Sequence, residues 1–249
     1  MGTFRFKRFE VVNERSAMKV NTDGVLLGAS MTILPSDRNL LDIGTGTGTI
    51  ALMAAQRLAS CPCEAGATGS RTIIHAIDID EASAVEAAAN FCNSPWSADL
   101  QAFHASLDEY EEVSVLPEYD LIFSNPPYFE DSLNAPEQRR NNARHTSTGL
   151  SYREILDFAA ARLSDGGRVA LVLPAETEHQ LCRHARMNGL HLFRIVRVRT
   201  VPRKEPSRII AEFSRIRKDT PEDTVLTIQN EGKYTEEYLS LMRDFYLFA

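Results

Sequence analysis

From Asn39 onward, short apolar runs alternate with longer amphipathic stretches, and this alternation restricts the fold more than any other feature of the chain. Apolar runs of this length, bounded by turn residues, read as buried strands, and the stretches between them carry helical spacing. Strands are expected at Asn39 to Ile43, Thr72 to Ile77, Gln101 to His104, Tyr119 to Ser124 and 168–173. Helices are expected at Thr49 to Ala59, at Glu81 to Asn93 behind an Asp80 cap, and near 151–163 and 176–188. Asp165-Gly166-Gly167 reads as a turn. Strands alternating with helices imply α/β architecture: a doubly wound, mainly parallel sheet with helices on both faces. Strands near 190–199 and 207–215 have no helix between them and are expected to pair antiparallel.

Outside this core, residues 4–12 alternate apolar and basic side chains as a half-exposed strand would. Asn21 to Asp23 can cap a short helix over Val25 to Leu34, stopped at Pro35. The tail offers a strand at Thr224 to Ile228 and an amphipathic helix from Thr235 to Phe248. The 249 residues thus read as one domain: an N-terminal β/α extension (1–35), a core (36–215), and a C-terminal strand and helix (216–249).

No apolar run approaches the ~18–20 residues of a membrane span, and no apolar signal core follows Met1. Cys61, Cys63, Cys92 and Cys182 form no CxxC pair, which fits a reducing cytosol and gives no metal site. Net charge is −7, yet Arg183 to Lys218 holds eleven Lys or Arg against two acids. A basic segment on an acidic body suggests a polyanionic partner, although arginines on strands can equally face water.

Two constellations carry chemistry. The run Leu40-Leu41-Asp42-Ile43-Gly44-Thr45-Gly46-Thr47-Gly48 is a strand that ends in a glycine turn and opens a helix. Its G-x-G-x-G spacing departs from the G-x-G-x-x-G of dinucleotide sites, so a nicotinamide cofactor fits poorly. Asp78 closes the next strand, where a carboxylate can accept from ribose hydroxyls. Asn125-Pro126-Pro127-Tyr128 follows a buried strand. Two prolines fix φ twice and push Asn125 to extended geometry, making a stiff hook for a planar group bearing an NH2.

In this order, these segments resemble class I S-adenosylmethionine (SAM)-dependent methyltransferases of the amino-methylating kind, whose sheet is Rossmann-like. The resemblance implies that Asp42, Gly44, Thr45, Gly46 and Gly48 hold the methionine half of SAM. Asp78 and Ile79 would hold the ribose and its surroundings, and Ser106 would meet the adenine edge, where the family commonly has Asp. Asn125, Pro126, Pro127 and Tyr128 would form the catalytic hook, with Phe129 beside Tyr128. The tetrapeptide alone leaves adenine-N6, guanine-N2 and protein glutamine-N5 targets open, and a SAM- or RNA-binding module without turnover is the non-enzymatic alternative. Phe9 to Gly28, Ser94-Pro95-Trp96, Asn125 to Phe129 and Tyr238 to Phe248 closely resemble the bacterial tRNA adenine-37 N6-methyltransferases of valine tRNA. That likeness implies a cytoplasmic enzyme acting on tRNA; the sequence leaves the oligomeric state open, with a monomer favoured. It offers Lys19, Thr22 and Asp23 as a lid near the methionine end of the cofactor. Arg139, Arg140 and Arg144, in the aperiodic 130–149 stretch that follows the hook, are candidate RNA contacts from their position.

Overall fold

The structure is a computed structural model, and it describes residues 2–16, 18–61, 71–112, 115–127 and 150–249. Its centre is an eight-stranded sheet in the order β5-β4-β3-β6-β7-β9-β8-β10. The strands are β3 (Asn39–Ile43), β4 (Ile73–Asp78), β5 (Leu100–His104), β6 (Tyr119–Ser124), β7 (Leu163–Pro174), β8 (His191–Arg199), β9 (Arg208–Ser214) and β10 (Glu222–Thr227). All neighbours pair parallel except β9, which runs antiparallel to both β7 and β8. The expected antiparallel pair at the end of the core is therefore present, and β10 then returns parallel to β8.

Alternation along β3 divides the interior. Leu40 joins the core under α1 (Thr22–Ser30), α2 (Thr49–Ser60), α3 (Glu81–Cys92) and α7 (Glu236–Met242). Leu41 and Ile43 join the core under α4 (Leu107–Glu111), α5 (Tyr152–Arg162) and α6 (Glu178–Met187). Both faces are covered, which explains why these strands read as continuous apolar runs. Chain direction from β3 leads to β4 and β5 on one side, while β6 and β7 lie on the other. The crevice at the carboxyl ends of β3 and β6 is thus the switch point where ligands of open α/β sheets bind.

Several boundaries differ from the sequence reading. Residues 4–12 form not one strand but a hairpin, β1 (Thr3–Arg5) and β2 (Glu10–Val12), because Phe6 and Phe9 turn inward and stack at 4.5 Å. Helix α1 begins at Thr22, since Asn21 accepts from the Gly24 amide, and it ends at Ser30, well short of Pro35. Asp165-Gly166-Gly167 is not a free turn but part of β7, where the register against β6 shifts between Tyr119 and Leu121. The C-terminal helix stops at Met242, and Phe245 and Tyr246 fold back into the core. A small hairpin of β11 (Gln229–Asn230) and β12 (Lys233–Tyr234) has no counterpart in the sequence reading.

The basic segment also resolves differently. Arg194 bonds Glu212 and Glu222, Arg197 bonds Glu178 and Asp223, and Arg208 bonds Asp23. Arg215 donates to the carbonyls of Leu163 and Ala160. Three strand arginines, Arg194, Arg197 and Arg208, thus lock the sheet to acids, and that part of the segment's charge is satisfied internally.

Candidate active site

The glycine turn after β3 is held by its neighbour β4. The amides of Gly44 and Thr45 donate to the Ile77 carbonyl at 2.9 and 3.0 Å, and the Gly46 amide donates to Asp78 Oδ2 at 2.8 Å. The Gly48 amide donates to the Thr45 carbonyl. Phosphate-binding turns leave such amides pointing at the ligand; here they are engaged within the protein. Gly46 and Gly48 have φ of +57° and +79°, and a Cβ on Gly48 would lie 2.5 Å from the Phe91 ring. The turn therefore needs glycine for backbone sign and for the close approach of α3.

Asp42 lies fully buried on the α2 face of β3. Its Oδ2 accepts from Thr45 Oγ1 at 2.8 Å, the Ala51 amide also favours the carboxylate, and among the described residues its Oδ1 has no partner at ordinary hydrogen-bond geometry. Burial raises its pKa to about 7, the Thr45 hydrogen bond opposes the rise, and the nearby Asp78 charge adds to it. A buried carboxylate with an oxygen to spare, beside a turn whose Gly44, Thr45, Gly46 and Gly48 amides are engaged, fits a ligand that brings a cation rather than a phosphate. Asp78 at the end of β4 also accepts from the Asp80 amide at 2.9 Å. Its pKa is raised by burial against the two amide hydrogen bonds. Ile79 beside it is 62% exposed and offers an apolar face. Asp80 caps α3, as its place in the sequence implies. Ser106 caps α4 in a reciprocal capping box with Glu109. Its hydroxyl donates to Glu109 at 2.9 Å, so toward any ligand it offers only a lone pair.

Asn125 emerges from β6 across the crevice and is 6% exposed. Beneath it, Ser124 Oγ donates to the Ile43 carbonyl at 2.6 Å, which ties the ends of β6 and β3 together. Pro126 is buried and Pro127 exposed. Asn125 Nδ2 donates to Asn21 Oδ1 at 3.3 Å and lies 3.7 Å from Met18 Sδ. Asn21 Oδ1 also accepts from the Gly24 amide at 2.8 Å, while Asn21 Nδ2 donates to the Lys19 carbonyl. A backbone N–H can only donate, so it fixes which end of the Asn21 amide faces α1. That in turn fixes the Asn125 amide, whose nitrogen must face Asn21.

The segment before α1 roofs this crevice. A Cβ on Gly46 would touch the Met18 carbonyl at 3.4 Å and Ser16 Oγ at 3.5 Å. Glu86 on α3 anchors the roof: its Oε1 accepts from the amides of Glu14 and Arg15, and its Oε2 from that of Ser16, at 2.7–2.9 Å. Burial pushes the Glu86 pKa up, but these three amides overcome it and hold the carboxyl below its ordinary value. Asn90 bonds both polar groups of Val12 and the Thr47 carbonyl, joining roof, helix and glycine turn. Lys19 Nζ donates to the carbonyls of Asn13 and Glu14, and Asp23 pairs with Arg208 at 2.9 Å. Thr22 is the exposed first residue of α1.

The structure thus gathers Asp42, Gly44, Thr45, Gly46, Gly48, Asp78 and Asn125 around one crevice, with Ile79 and Ser106 along its β4–β5 side and residues 16–23 above. Tyr128, Phe129, Arg139, Arg140 and Arg144 lie outside the described residues. Asn21, Met18, Glu86 and Asn90 were missed as site residues. Asn21 was legible only as a helix cap, and nothing local marks Glu86, one acid in an alanine-rich helix, as an anchor for a segment 70 residues earlier.

Comparisons with known proteins agree with this geometry. The family model described as "Methyltransferase small domain" matches residues 16–191. A tRNA1(Val) (adenine(37)-N6)-methyltransferase of Parabacteroides distasonis is 42% identical, covering 98% of this chain and 97% of its own length. One of Photobacterium profundum is 39% identical, covering 98% of each. A crystal structure described as a predicted O-methyltransferase, from Agrobacterium tumefaciens, superposes over 88% of this chain and 95% of its own with a TM-score of 0.63. At 16% identity that likeness concerns the fold, which is that of the class I methyltransferases. With the family model covering most of the core and full-length relatives near 40% identity, the chain belongs to the tRNA1(Val) (adenine(37)-N6)-methyltransferase family of small-domain methyltransferases.

Proposed function

We propose that this chain is a SAM-dependent methyltransferase acting on N6 of an adenine in a tRNA anticodon loop, adenine 37 of tRNA1(Val), in the cytoplasm. The observation that carries the chemistry is Asn125, fixed in orientation at the end of β6 and facing the glycine turn across the crevice. The full-length relatives carry the choice of target.

The residues present fit SAM. Asp42, with its partnerless Oδ1, and the backbone of Gly44, Thr45, Gly46 and Gly48 would hold the methionine end. Asp78 would hold the ribose, Ile79 would cover the adenine face, and the Ser106 lone pair would accept from the adenine amine. Lys19, Thr22 and Asp23 belong to the lid, whose position Lys19 secures through the 13–14 carbonyls and Asp23 through Arg208. Bound here, SAM supplies a methyl group made electrophilic by the sulfonium.

An adenine amine is a weak nucleophile because its lone pair is delocalised into the ring. Asn125 Oδ1, turned away from Asn21, accepts one N–H of that amine, and the Pro126 carbonyl accepts the other. Two acceptors held in place favour the pyramidal nitrogen of the transition state, which is catalysis by positioning and electrostatics. No strong base is required, since an alkylated amine sheds its proton readily. Tyr128 would stack on the base, with Phe129 near it, and that base costs little to expose because loop bases are already unpaired. Arg139, Arg140 and Arg144 would contact phosphates.

Mass spectrometry of tRNA nucleosides from cells with and without the gene tests this reading. Loss of N6-methyladenosine from a single tRNA is expected. Label from tritiated SAM entering protein instead of RNA would replace the target by a glutamine amide, and no transfer at all would leave a binding module.

A further inference from the structure

On the side of Asn125 away from Asp78 and Ser106, the carboxyl edge of the sheet opens into a cavity of about 370 Å³. This is within the ~300–1,000 Å³ usual for small-ligand sites. Its walls come from the start of α1, the ends of β8 and β10, the start of β9, the β11–β12 hairpin and α7. It adjoins the presumed reaction centre directly: Thr22 and Asp23 line it, and Asn21, the next residue back, bonds Asn125. From β6 across β7 to β9 is two strand spacings, about 10 Å.

The lining has the chemistry of a polar planar ligand. Thr22, Thr200, Ser207 and Gln229 all face the cavity, and none of these four side chains enters a hydrogen bond among the described residues. Arg208 brings a cation that its pair with Asp23 holds at the rim. Tyr234, 42% exposed, and Tyr238 form an aromatic wall, stacked with centroids 5.0 Å apart. The hairpin is built to present two of these groups together. Gln229 and Tyr234 are a cross-strand pair, so they project from the same face. The two-residue turn between the strands places Glu231 and Gly232 at φ 49° and 78°, the geometry that makes the tightest hairpins. A non-glycine residue in that region costs about 1 kcal/mol, so the pairing is kept against a local penalty.

We infer that this cavity is a subsite for one unpaired nucleotide flanking the methylated adenine in the same RNA loop. Gln229, Thr200 and Ser207 read its base edge, the tyrosines form the apolar wall, and Arg208 faces its phosphate. Sequence-specific RNA recognition commonly splays loop bases into such aromatic-lined pockets and reads their edges. The inference rests on the RNA reading of the active site.

The test uses the full-length enzyme, SAM, and synthetic anticodon hairpins that are intact or abasic at the position immediately 5′ or 3′ of the target adenine. One of the two abasic hairpins is expected to raise KM about tenfold, equivalent to ~1.4 kcal/mol, with kcat within twofold. Gln229→Ala and the isosteric Gln229→Glu should raise KM for the intact hairpin by a similar factor, leave SAM affinity and melting temperature unchanged, and lose little more on that abasic hairpin. Penalties of base removal and side-chain removal that simply multiply would overturn the inference, because independent effects add in free energy. Wild-type enzyme that methylates all three hairpins equally would overturn it while leaving the proposed function intact. Failure to methylate either the intact hairpin or whole tRNA would remove both.

Discussion

The two sides of the crevice satisfy their polar groups in opposite ways. On the β3–β4–β5 side the glycine-turn amides are bonded to Ile77 and Asp78, Asp78 is held by two amides, and Ser106 is closed in a capping box. On the β8–β9–β10 side, the side chains of Thr22, Thr200, Ser207 and Gln229 line an open cavity without hydrogen-bond partners among the described residues. The first side is largely finished before any ligand arrives, and among the described residues the buried Oδ1 of Asp42 is left there to be satisfied. The second is finished only by what binds there. A rigid small cofactor suits the former, and a pliable polymer suits the latter. Asn125 stands between them, braced by the roof segment through Asn21.

The largest test of this contrast is Asn125→Ala. It should lower kcat by ~10³-fold, in line with the loss of a positioned transition-state contact, while calorimetry shows SAM binding unchanged. Turnover near the wild-type rate would dissolve the boundary between the two sides.

Gly48→Ala should destabilise the fold by about 3 kcal/mol, since it combines a left-handed φ with overpacking against Phe91. Chemical denaturation measures this, and SAM affinity should fall with it. An equally rigid substrate side would show the same cost at Gly232, where a Cβ meets nothing within 4 Å. There only the φ penalty of ~1 kcal/mol is expected.

Asp42 predicts a pH dependence. Its carboxyl keeps a proton up to about pH 7 in the folded ligand-free protein, against 3.8 as the ordinary value. Between those values the folded state holds a proton the unfolded chain has lost, so this group's contribution to stability declines as pH rises across that window. The decline should amount to a few kcal/mol. Asp42→Asn should flatten the decline in a denaturation series from pH 4 to 8. A ligand ammonium drawing out the carboxylate should release a proton on binding near pH 6.5, seen as buffer-dependent heat. The variant should lack that heat.

The smallest effect separates positioning from capping. Asn21→Asp keeps an oxygen for both the Gly24 amide and Asn125, and kcat should stay near wild type. Asn21→Ser also caps α1 well, but its shorter side chain falls short of Asn125, so kcat should drop about tenfold (~1.4 kcal/mol) with stability retained. Equal kcat in the two variants would restrict Asn21 to its cap.

Legibility in the sequence followed the range of the interactions. Asp42, the glycines, Asp78 and the Asp80 cap could be read because strand, turn and helix start are contiguous, and their chemistry is local. Asn125 was legible because two prolines stiffen its own loop. The role of Ser106 as a cap was written in Glu109, three residues on, but a cap and a ligand contact call for the same hydroxyl. Glu86, Asn90 and the Asn21–Asn125 contact were hidden because each joins segments 70 or more residues apart. Within the arginine-rich segment, the pairing of Arg208 with Asp23, 185 residues earlier, was hidden in the same way, while Arg194 and Arg197 find their acids on neighbouring elements.

The anchoring of the roof also bears on the order in which the molecule assembles. Its amides are held by Glu86, 70–72 residues downstream, and Lys7 in the hairpin before it donates to the carbonyls of Arg243 and Ala249, 236 and 242 residues away. Contacts of such separation require a long stretch of chain to close before they return any free energy, and they form slowly. The roof is therefore seated only after long stretches of chain have closed, as the β3–β6 pairing across 81 residues also requires. With the roof unseated, Asn125 would lose its brace from Asn21 and the glycine turn its cover. Catalytic competence thus depends on contacts that span nearly the whole chain.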